Sequence, residues 1–184
     1  MPVTVGGPMP DLVMGADGRR VPPVGVHVVG MSAVIAHLVT NRPDENHRAQ
    51  LAKDLLDYVK LMRDLGLHVE RVLVDGSFTS DKMYPRDIDC SPIVDGSLSK
   101  PIPEILNTVT SCWVSPRDRY KTTPVPWLER TVGLDVYGFV QIPTSHPNHN
   151  LGLEAERYWK NWWQLERQGA GTPSKGCLEV IIDE

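Results

Sequence analysis

The chain has 184 residues, of which 41% are hydrophobic and 23% charged, so it has the size of one ordinary domain with a sizeable core. Its 19 basic and 23 acidic residues give a formal net charge of −4. The charge as a whole therefore excludes a global attraction to nucleic acid or to an anionic membrane, and a nucleic-acid partner would need a local basic patch.

The beginning of the chain is predicted to be an arm that leads into a helical region. Residues 1–23 are rich in Gly and Pro, which favours turns and extended segments over helix. We therefore assign residues 1–23 to an extended N-terminal arm and residues 24–184 to the folded domain. The apolar run from Met31 to Val39 predicts a short helix.

A long amphipathic helix is predicted from Glu45 to Leu65. Asp44 is a candidate N-cap before it, and Gly66 is well placed to end it. Within this segment apolar residues recur at spacings of three and four, which is typical of a helix with one buried face. Arg48 is assigned to the opposite, polar face.

Two β-type runs follow, joined by a Gly-Ser pair and a polar connection. His68 to Phe78 and Arg86 to Val94 are rich in β-branched and other apolar residues, which predicts two strands. Because successive side chains of a strand point to opposite faces, Asp87 and Asp89 are expected to project from the same face of the second strand.

This strand pair carries residues suited to a metal and to phosphate. The carboxylates of Asp87 and Asp89 repel one another unless a cation lies between them, and hard divalent cations such as Mg²⁺ take oxygen ligands. Gly76 allows a ligand to approach the backbone, and Ser77 offers a hydroxyl and an N–H to an anion. The pattern therefore predicts a site where metal and phosphate meet.

The second half of the chain continues to alternate helices and strands. Ile102 to Val109 predicts a short helix, and Trp113 to Pro126 is a polar loop rich in proline. Thr131 to Ile142 and Cys177 to Asp183 are of β type. Between them, Leu153 to Leu165 carries four aromatic residues at helical spacing.

Asp135 is the best candidate for a third acid at the site. It lies in the strong strand prediction from Thr131 to Ile142, in which Leu134 and Val136 belong to the more aliphatic face. We expect this strand to lie beside the one that carries Asp89. The aliphatic face would then contact the helices, and Asp135 would face the cleft with Tyr137 close by.

The Gly-Ser and Asp-x-Asp residues carry a family resemblance. Gly76-Ser77 followed by Asp87-Ile88-Asp89 resembles the signature of the DNA polymerase β-like nucleotidyltransferase superfamily. Val74 to Phe78, preceded by a long helix and by the proline-containing segment Val21 to His27, is similar to a small bacterial and phage family of that superfamily. The similarity runs from about Pro10 to the C-terminus and includes Tyr158-Trp159 and Lys175-Gly176.

The resemblance implies a single α/β (α+β) domain with a mixed β-sheet and a polymerase β-like core. It implies transfer of a nucleoside monophosphate from a nucleoside triphosphate such as ATP to a protein side chain, an RNA end such as that of tRNA, or a small molecule. A toxin–antitoxin or phage-defence setting is also implied. The residues it assigns to Mg²⁺ or Mn²⁺ and to catalysis are Asp87, Asp89 and Asp135. It assigns Gly76 and Ser77 to the triphosphate. From their charge, the loop cations Lys82, Arg117, Arg119 and Lys121 could neutralise that triphosphate, and we assign Lys82 and Lys121 to its binding.

Each of these patterns also has a structural interpretation. The acidic pair is also typical of strand-end residues facing solvent. The cationic loop residues are also typical of solvated charge, namely Lys82, Arg117, Arg119 and Lys121. The aromatic segment from Tyr158 to Trp163 could stack a base, complete the core or form a homo-oligomer interface. The alternative for the whole protein is a catalytically inactive nucleotidyltransferase-fold module that binds a partner protein or a nucleotide.

Other sequence features limit the class of protein and its location. The cysteines are odd in number and lack Cys-x-x-Cys spacing, so we expect packed, reduced thiols rather than disulfides or zinc ligands. His146 and His149 lie three residues apart, but Pro147 and the lack of a nearby Cys argue against zinc. No signal peptide and no stretch that would span a bilayer is visible, so we expect a cytoplasmic protein without membrane contact.

Overall fold

The computed structural model describes residues 6–97, 100–114, 133–165 and 171–182. The strands in these residues are β1 (Val13–Met14), β2 (Arg20–Val21), β3 (Gly25–Gly30), β4 (Val69–Asp75), β5 (Ile88–Asp95), β6 (Leu134–Val136), β7 (Phe139–Gln141) and β8 (Gly176–Ile181). The α-helices are α1 (Met31–Val34), α2 (Glu45–Asp64), α3 (Ile102–Ser111) and α4 (His149–Trp162), with a π-helical turn at Ile35–Val39 and a 3₁₀ turn at Gly76–Thr79.

The centre of the molecule is a six-stranded mixed sheet. Its strand order is β3-β8-β4-β5-β6. Strand β6 pairs with the first half of β5, and β7 pairs with the second half of the same strand. The β3–β8, β5–β6 and β5–β7 pairs are parallel, whereas β4 is antiparallel to both β8 and β5. The expected mixed α/β architecture is therefore confirmed, and the strands that carry the Gly-Ser and Asp-x-Asp residues are central neighbours.

Helices cover both faces of this sheet. One face packs with α1, α2 and α3 in the main core, which contains the fully buried Val72, Ile88 and Leu134. The other face carries a smaller cluster in which Leu73 and Ile93 pack with residues of α4 and with Trp163 just after it. Alternating residues of each strand thus enter different cores, and this alternation fixes which side chains face α4.

The predicted long helix is confirmed as α2, with two corrections at its N-terminal end. Gly66 follows the helix with a φ of 80°, a conformation that favours glycine. Asp44 occupies the N-cap position but makes no side-chain capping bond, because its carboxylate binds Arg48 instead. Arg48 was expected on the polar face and is fully buried.

The single strand predicted from Thr131 to Ile142 is divided into β6 and β7. Leu134 lies opposite Ile88 and Phe139 opposite Ile93, so the register does not change across the interruption. The N–H of Tyr137 donates to Cys90 O, and the next ladder bond would need an N–H from the residue two positions later in β5. That residue is Pro92, which has no N–H to donate.

The remaining predicted elements are present where the chain is described, but two strand ends differ. The strand predicted to reach Phe78 ends at Asp75 before the 3₁₀ turn, and the strand predicted from Arg86 begins at Ile88, so Asp87 precedes it. The short helix after Met31 is α1 with its π-helical turn, and the helices and strand of the second half are α3, α4 and β8. In the N-terminal arm, β1 and β2 form an antiparallel hairpin, and Gly7 bridges Val29 of β3. The three cysteines are free and buried, as predicted.

Candidate active site

Three aspartates lie side by side across the centre of the sheet. Asp75, the last residue of β4, is opposite Asp89 of β5, and Asp89 is in turn opposite Asp135 of β6. Directly paired residues on adjacent strands have Cβ atoms about 4.5–5.5 Å apart. The expected pairing of the Asp89 and Asp135 strands is therefore present, and Asp75 extends the row by one strand. We call these three residues the aspartate row.

All three carboxylates of the aspartate row project from the α4 face of the sheet. Their strand neighbours Val74, Ile88 and Leu134 point into the main core on the other face, which is also where Val136 is buried. Asp75 is buried, whereas Asp89 and Asp135 are partly exposed. The aliphatic side of the predicted strand thus contacts the helices, as expected.

Gly76 is required by the packing of Asp89 as well as by the backbone. Its φ is 78°, in the left-handed region that side chains rarely adopt. A Cβ at this position would lie 1.7 Å from Asp89 Oδ2, so a larger residue would displace the carboxylate. Ser77 follows in the 3₁₀ turn, where it is partly exposed and its carbonyl accepts a hydrogen bond of 2.8 Å from Ser80 Oγ.

Arg48 of α2 fixes the loop that follows the Gly-Ser turn. Its guanidinium donates to the carbonyl oxygens of Phe78 at 2.8 Å, Ser80 at 3.1 Å and Lys82 at 2.6 Å. It also pairs with Asp44 at 3.0 Å inside the protein. Sequence reasoning missed this role; the one local signal was the i, i+4 spacing of an acid and a base.

The ion pair with Arg48 also sets the electrostatics of Asp44. Burial tends to raise the pKa of Asp44, but the Tyr84 N–H and the Arg48 guanidinium outweigh it, so the pKa is lowered. Asp44 Oδ2 accepts the Tyr84 N–H at 2.8 Å, although Tyr84 has a left-handed φ of 50°. The buried pair therefore holds both ends of the loop between Ser77 and Asp87.

Lys175 lies at one end of the aspartate row. Its Nζ forms an ion pair with Asp75 Oδ2, and both side chains are largely buried. Burial raises the pKa of the Asp75 carboxyl, and the charge of Lys175 opposes that rise. The other oxygen, Asp75 Oδ1, is buried and has no hydrogen-bond partner among the described residues. The pair was not predicted, because its partners are far apart in the sequence.

The other predicted site residues are not members of the aspartate row. Asp87 lies one residue before β5 and is partly buried. Lys82 is fixed through its backbone, with its N–H donating to Ser80 Oγ at 3.2 Å and its carbonyl accepting from Arg48. Three of the predicted cationic residues lie outside the described part of the chain, namely Arg117, Arg119 and Lys121.

The aspartate row offers the oxygen ligands that Mg²⁺ or Mn²⁺ prefers. In the described residues no three His, Cys, Asp or Glu side chains converge as a complete protein ligand set. Magnesium sites of nucleotide enzymes use one or two carboxylates together with waters and substrate phosphates, so a complete set is not required. Neighbouring Asp89 and Asp135, with the buried Asp75 Oδ1 beside them, fit such a partial site.

An aromatic cluster borders the aspartate row on the α4 side. Tyr137 stacks on Trp159 with ring centroids 5.2 Å apart, so Trp159 occupies one face of the Tyr137 ring. Trp163 is buried and donates its Nε1–H to Ser91 Oγ at 2.8 Å. Tyr158 and Trp162 stack on each other and are about half exposed, and a subunit interface there stays a prediction.

His146, before α4, and His149, the first residue of α4, both contact the backbone. His149 Nδ1 lies 2.7 Å from Ile142 O, and His146 Nδ1 accepts the Asn148 N–H at 3.1 Å.

Burial, followed by the charges of Asp89 and Asp135, raises the pKa of the Cys90 thiol. Cys90 is therefore a packed thiol behind the aspartate row rather than a reactive one.

The fold and the site define an α/β protein with an acidic row next to a Gly-Ser turn. The chain belongs to the family described as "Family of unknown function (DUF6932)", which matches residues 14–181. No curated protein and no solved structure matches the chain. No helix in the described ranges is long and apolar enough to cross a membrane.

Proposed function

We propose that this protein is a metal-dependent nucleotidyltransferase with a polymerase β-like core. The observation that supports this most directly is the register that puts Asp135 beside Asp89, with Gly76 packed against the Asp89 carboxylate. A site of this kind combines clustered acidic oxygens with a turn that a phosphate can approach closely. The order of helix, strand, Gly-Ser turn and Asp-x-Asp strand also agrees with that core.

The residues have distinct roles in the proposed reaction. Asp87, Asp89 and Asp135 would hold Mg²⁺ or Mn²⁺, which supplies charge stabilisation for the transferring phosphoryl group. Ser77 and the backbone of Gly76 bind the β- and γ-phosphates. Lys82 and Lys121 are proposed to neutralise the triphosphate.

The bond changes follow from the transfer of a nucleoside monophosphate. The oxygen of an acceptor hydroxyl forms a bond to the α-phosphorus, and the bond from that phosphorus to the bridging oxygen of pyrophosphate breaks. Asp135 accepts the proton of the attacking hydroxyl as a general base. The products are a nucleotidylated acceptor and pyrophosphate, and the acceptor is a protein side chain, an RNA end or a small molecule in a cytoplasmic toxin–antitoxin or phage-defence setting.

The test measures pyrophosphate release from each nucleoside triphosphate in the presence of a cell lysate as the source of acceptor. We expect release that requires Mg²⁺ or Mn²⁺ and that Asp89→Asn reduces at least a hundredfold, as loss of a group that acts on the transferring phosphoryl does. Asp95→Asn is the matched control, because Asp95 lies at the other end of β5 and accepts hydrogen bonds from the N–H and the hydroxyl of Ser97. It should leave release unchanged.

Two results would contradict this proposal. Undiminished release by Asp89→Asn would remove the aspartate row from the chemistry. Nucleotide binding without release, at every nucleotide and with either metal, would favour the inactive binding module.

A further inference from the structure

A polar cavity lies between the N-terminal arm and the π-helical turn, and no residue of the aspartate row lines it. Its volume is about 560 Å³, which is within the usual range for small-molecule sites. The charged and titratable residues that line it are Asp11, Arg20, His37, Arg42 and Asp81. We call it the arm cavity.

Arg42 is the most unusual residue of the arm cavity. Its Nε is buried and has no hydrogen-bond partner within the described ranges. Buried polar groups in proteins are nearly always hydrogen-bonded, so an unsatisfied guanidinium nitrogen next to a cavity indicates a ligand. Burial lowers the pKa of Arg48, the charge of Asp44 opposes this change, and the charge of Arg42 adds to it.

The wall of the arm cavity is built from fixed elements. His37 belongs to the π-helical turn Ile35–Val39, a local irregularity that is frequent at functional sites. Elsewhere in the lining, the N–H of Arg20 donates to Asp81 Oδ1 at 3.1 Å and the N–H of Asp81 donates to Arg20 O at 3.1 Å. These bonds join the β-hairpin of the arm to the loop after the Gly-Ser turn.

The lining residues select the chemistry of the ligand. A guanidinium presents planar paired donors that match the oxygens of a phosphate, Arg20 adds a second positive charge on the same cavity, and the His37 ring offers a further hydrogen-bonding nitrogen. The carboxylates of Asp11 and Asp81 repel a phosphate but accept hydrogen bonds from hydroxyl groups. The ligand should therefore carry a phosphate at one end and hydroxyls at the other.

We propose that the arm cavity binds a phosphate monoester that carries sugar hydroxyls, with Arg42 on the phosphate. This site is separate from the aspartate row and does not depend on the proposed transferase activity. The same chemistry occurs in a free sugar phosphate and in a nucleoside monophosphate, so both are tested.

Calorimetric titration of the full chain with ribose 5-phosphate, adenosine monophosphate, inorganic phosphate and ribose tests the proposal. We expect ribose 5-phosphate or adenosine monophosphate to bind more tightly than inorganic phosphate, and ribose not to bind. The one of the two esters that binds more tightly identifies the source. Arg42→Gln should weaken this binding about tenfold or more, because it removes a charged hydrogen-bonding partner.

Arg19→Gln is the matched control, because Arg19 precedes Arg20 on the hairpin, pairs with the exposed Asp17 and does not line the cavity. It should bind as the wild type does. Binding should be the same in the presence of EDTA, because the proposed site at the aspartate row requires Mg²⁺ or Mn²⁺, and this separates the two sites. If Arg42→Gln does not fold, Arg20→Gln at the exposed rim gives the same comparison.

The proposal is overturned if ribose binds as tightly as its phosphate, if no ester binds at millimolar concentration, or if Arg42→Gln and Arg19→Gln have equal affinities. Loss of binding in the presence of EDTA would also overturn it, because the ester would then occupy the metal-dependent site at the aspartate row.

Discussion

Replacing Arg48 with Met would show how strongly the buried ion pair stabilises the site loop. Arg48 is fully buried and makes five hydrogen bonds, one to Asp44 and four to carbonyl oxygens. Met fills much of the same space but donates nothing, so the Asp44 carboxylate would stay buried without its counter-charge. Removal of one partner of a buried pair destabilises by roughly 3–5 kcal/mol. Orphaned carbonyls add to this unless water enters, so we expect a loss of about 4 kcal/mol in the free energy of unfolding.

The loss should depend on pH in a defined direction. In the wild type the folded pKa of Asp44 is below its ordinary value of 3.8, so its ionisation contributes stability above that pH. This contribution is lost as the pH falls through the folded pKa. Without Arg48 the pKa of Asp44 is higher than in the wild type, because the lowering contribution of the guanidinium is lost, so the variant keeps less of this stability as the pH rises. The difference between wild type and variant should therefore be larger at pH 7 than at about pH 4.

Urea unfolding followed by circular dichroism at both pH values measures this difference. Lys53→Met is the control on the same helix, because its ion pair with Asp57 is mostly exposed and should contribute less than about 0.5 kcal/mol. A loss below about 1 kcal/mol for Arg48→Met, or the same loss at both pH values, would refute the assignment of a buried and structurally important pair.

Two further comparisons, each between a test substitution and its control, measure packing at Gly76 and in the main core by thermal and urea unfolding. Gly76→Ala should destabilise by about 3 kcal/mol, because φ at Gly76 is 78° and the new Cβ would displace the Asp89 carboxylate. Gly18→Ala is the control and should destabilise by about 1 kcal/mol, because φ at Gly18 is 77° but no described atom lies within 4 Å of the new Cβ. Equal losses would mean that Asp89 does not pack on Gly76. Leu55→Ala in the main core should destabilise by about 2–5 kcal/mol. Its control is Leu56→Ala, at the partly exposed next residue, which should destabilise by less than about 1 kcal/mol. Similar losses for both variants would mean that the buried face of α2 lies elsewhere.

The sequence could predict elements whose residues repeat with a clear period. The spacing in α2 and the alternation in β6 report which side chains are buried, and the apolar runs of β4 and β5 predict strands buried on both faces. The position of Asp135 could be predicted for the same reason. Leu134 and Val136 had to enter the core, so Asp135 had to face the other way, next to Asp89.

Residues that act through long-range polar contacts could not be predicted in this way. A pattern of hydrophobicity counts Arg48 as exposed, because the carbonyls that satisfy it come from a loop distant in sequence. Likewise, only the β4–β8 pairing brings Lys175 to Asp75. Pro92 is visible in the sequence, but its effect depends on knowing that β6 and β7 are the strands beside β5.

Asp135→Asn separates binding of a nucleotide from its transfer. Asn has nearly the same size and keeps the β6 register, and Asp87 and Asp89 still supply two carboxylates. Nucleotide affinity in the presence of Mg²⁺ should therefore stay within about threefold of the wild type, because one or two carboxylates suffice for such a site. Transfer should fall about a hundredfold or more, because the amide cannot accept the proton of the attacking hydroxyl. Calorimetry for binding and pyrophosphate release for transfer give the two readings, with Asp95→Asn as the control. Undiminished transfer would remove Asp135 from the mechanism, whereas loss of binding together with transfer would make it a residue for binding rather than for proton transfer.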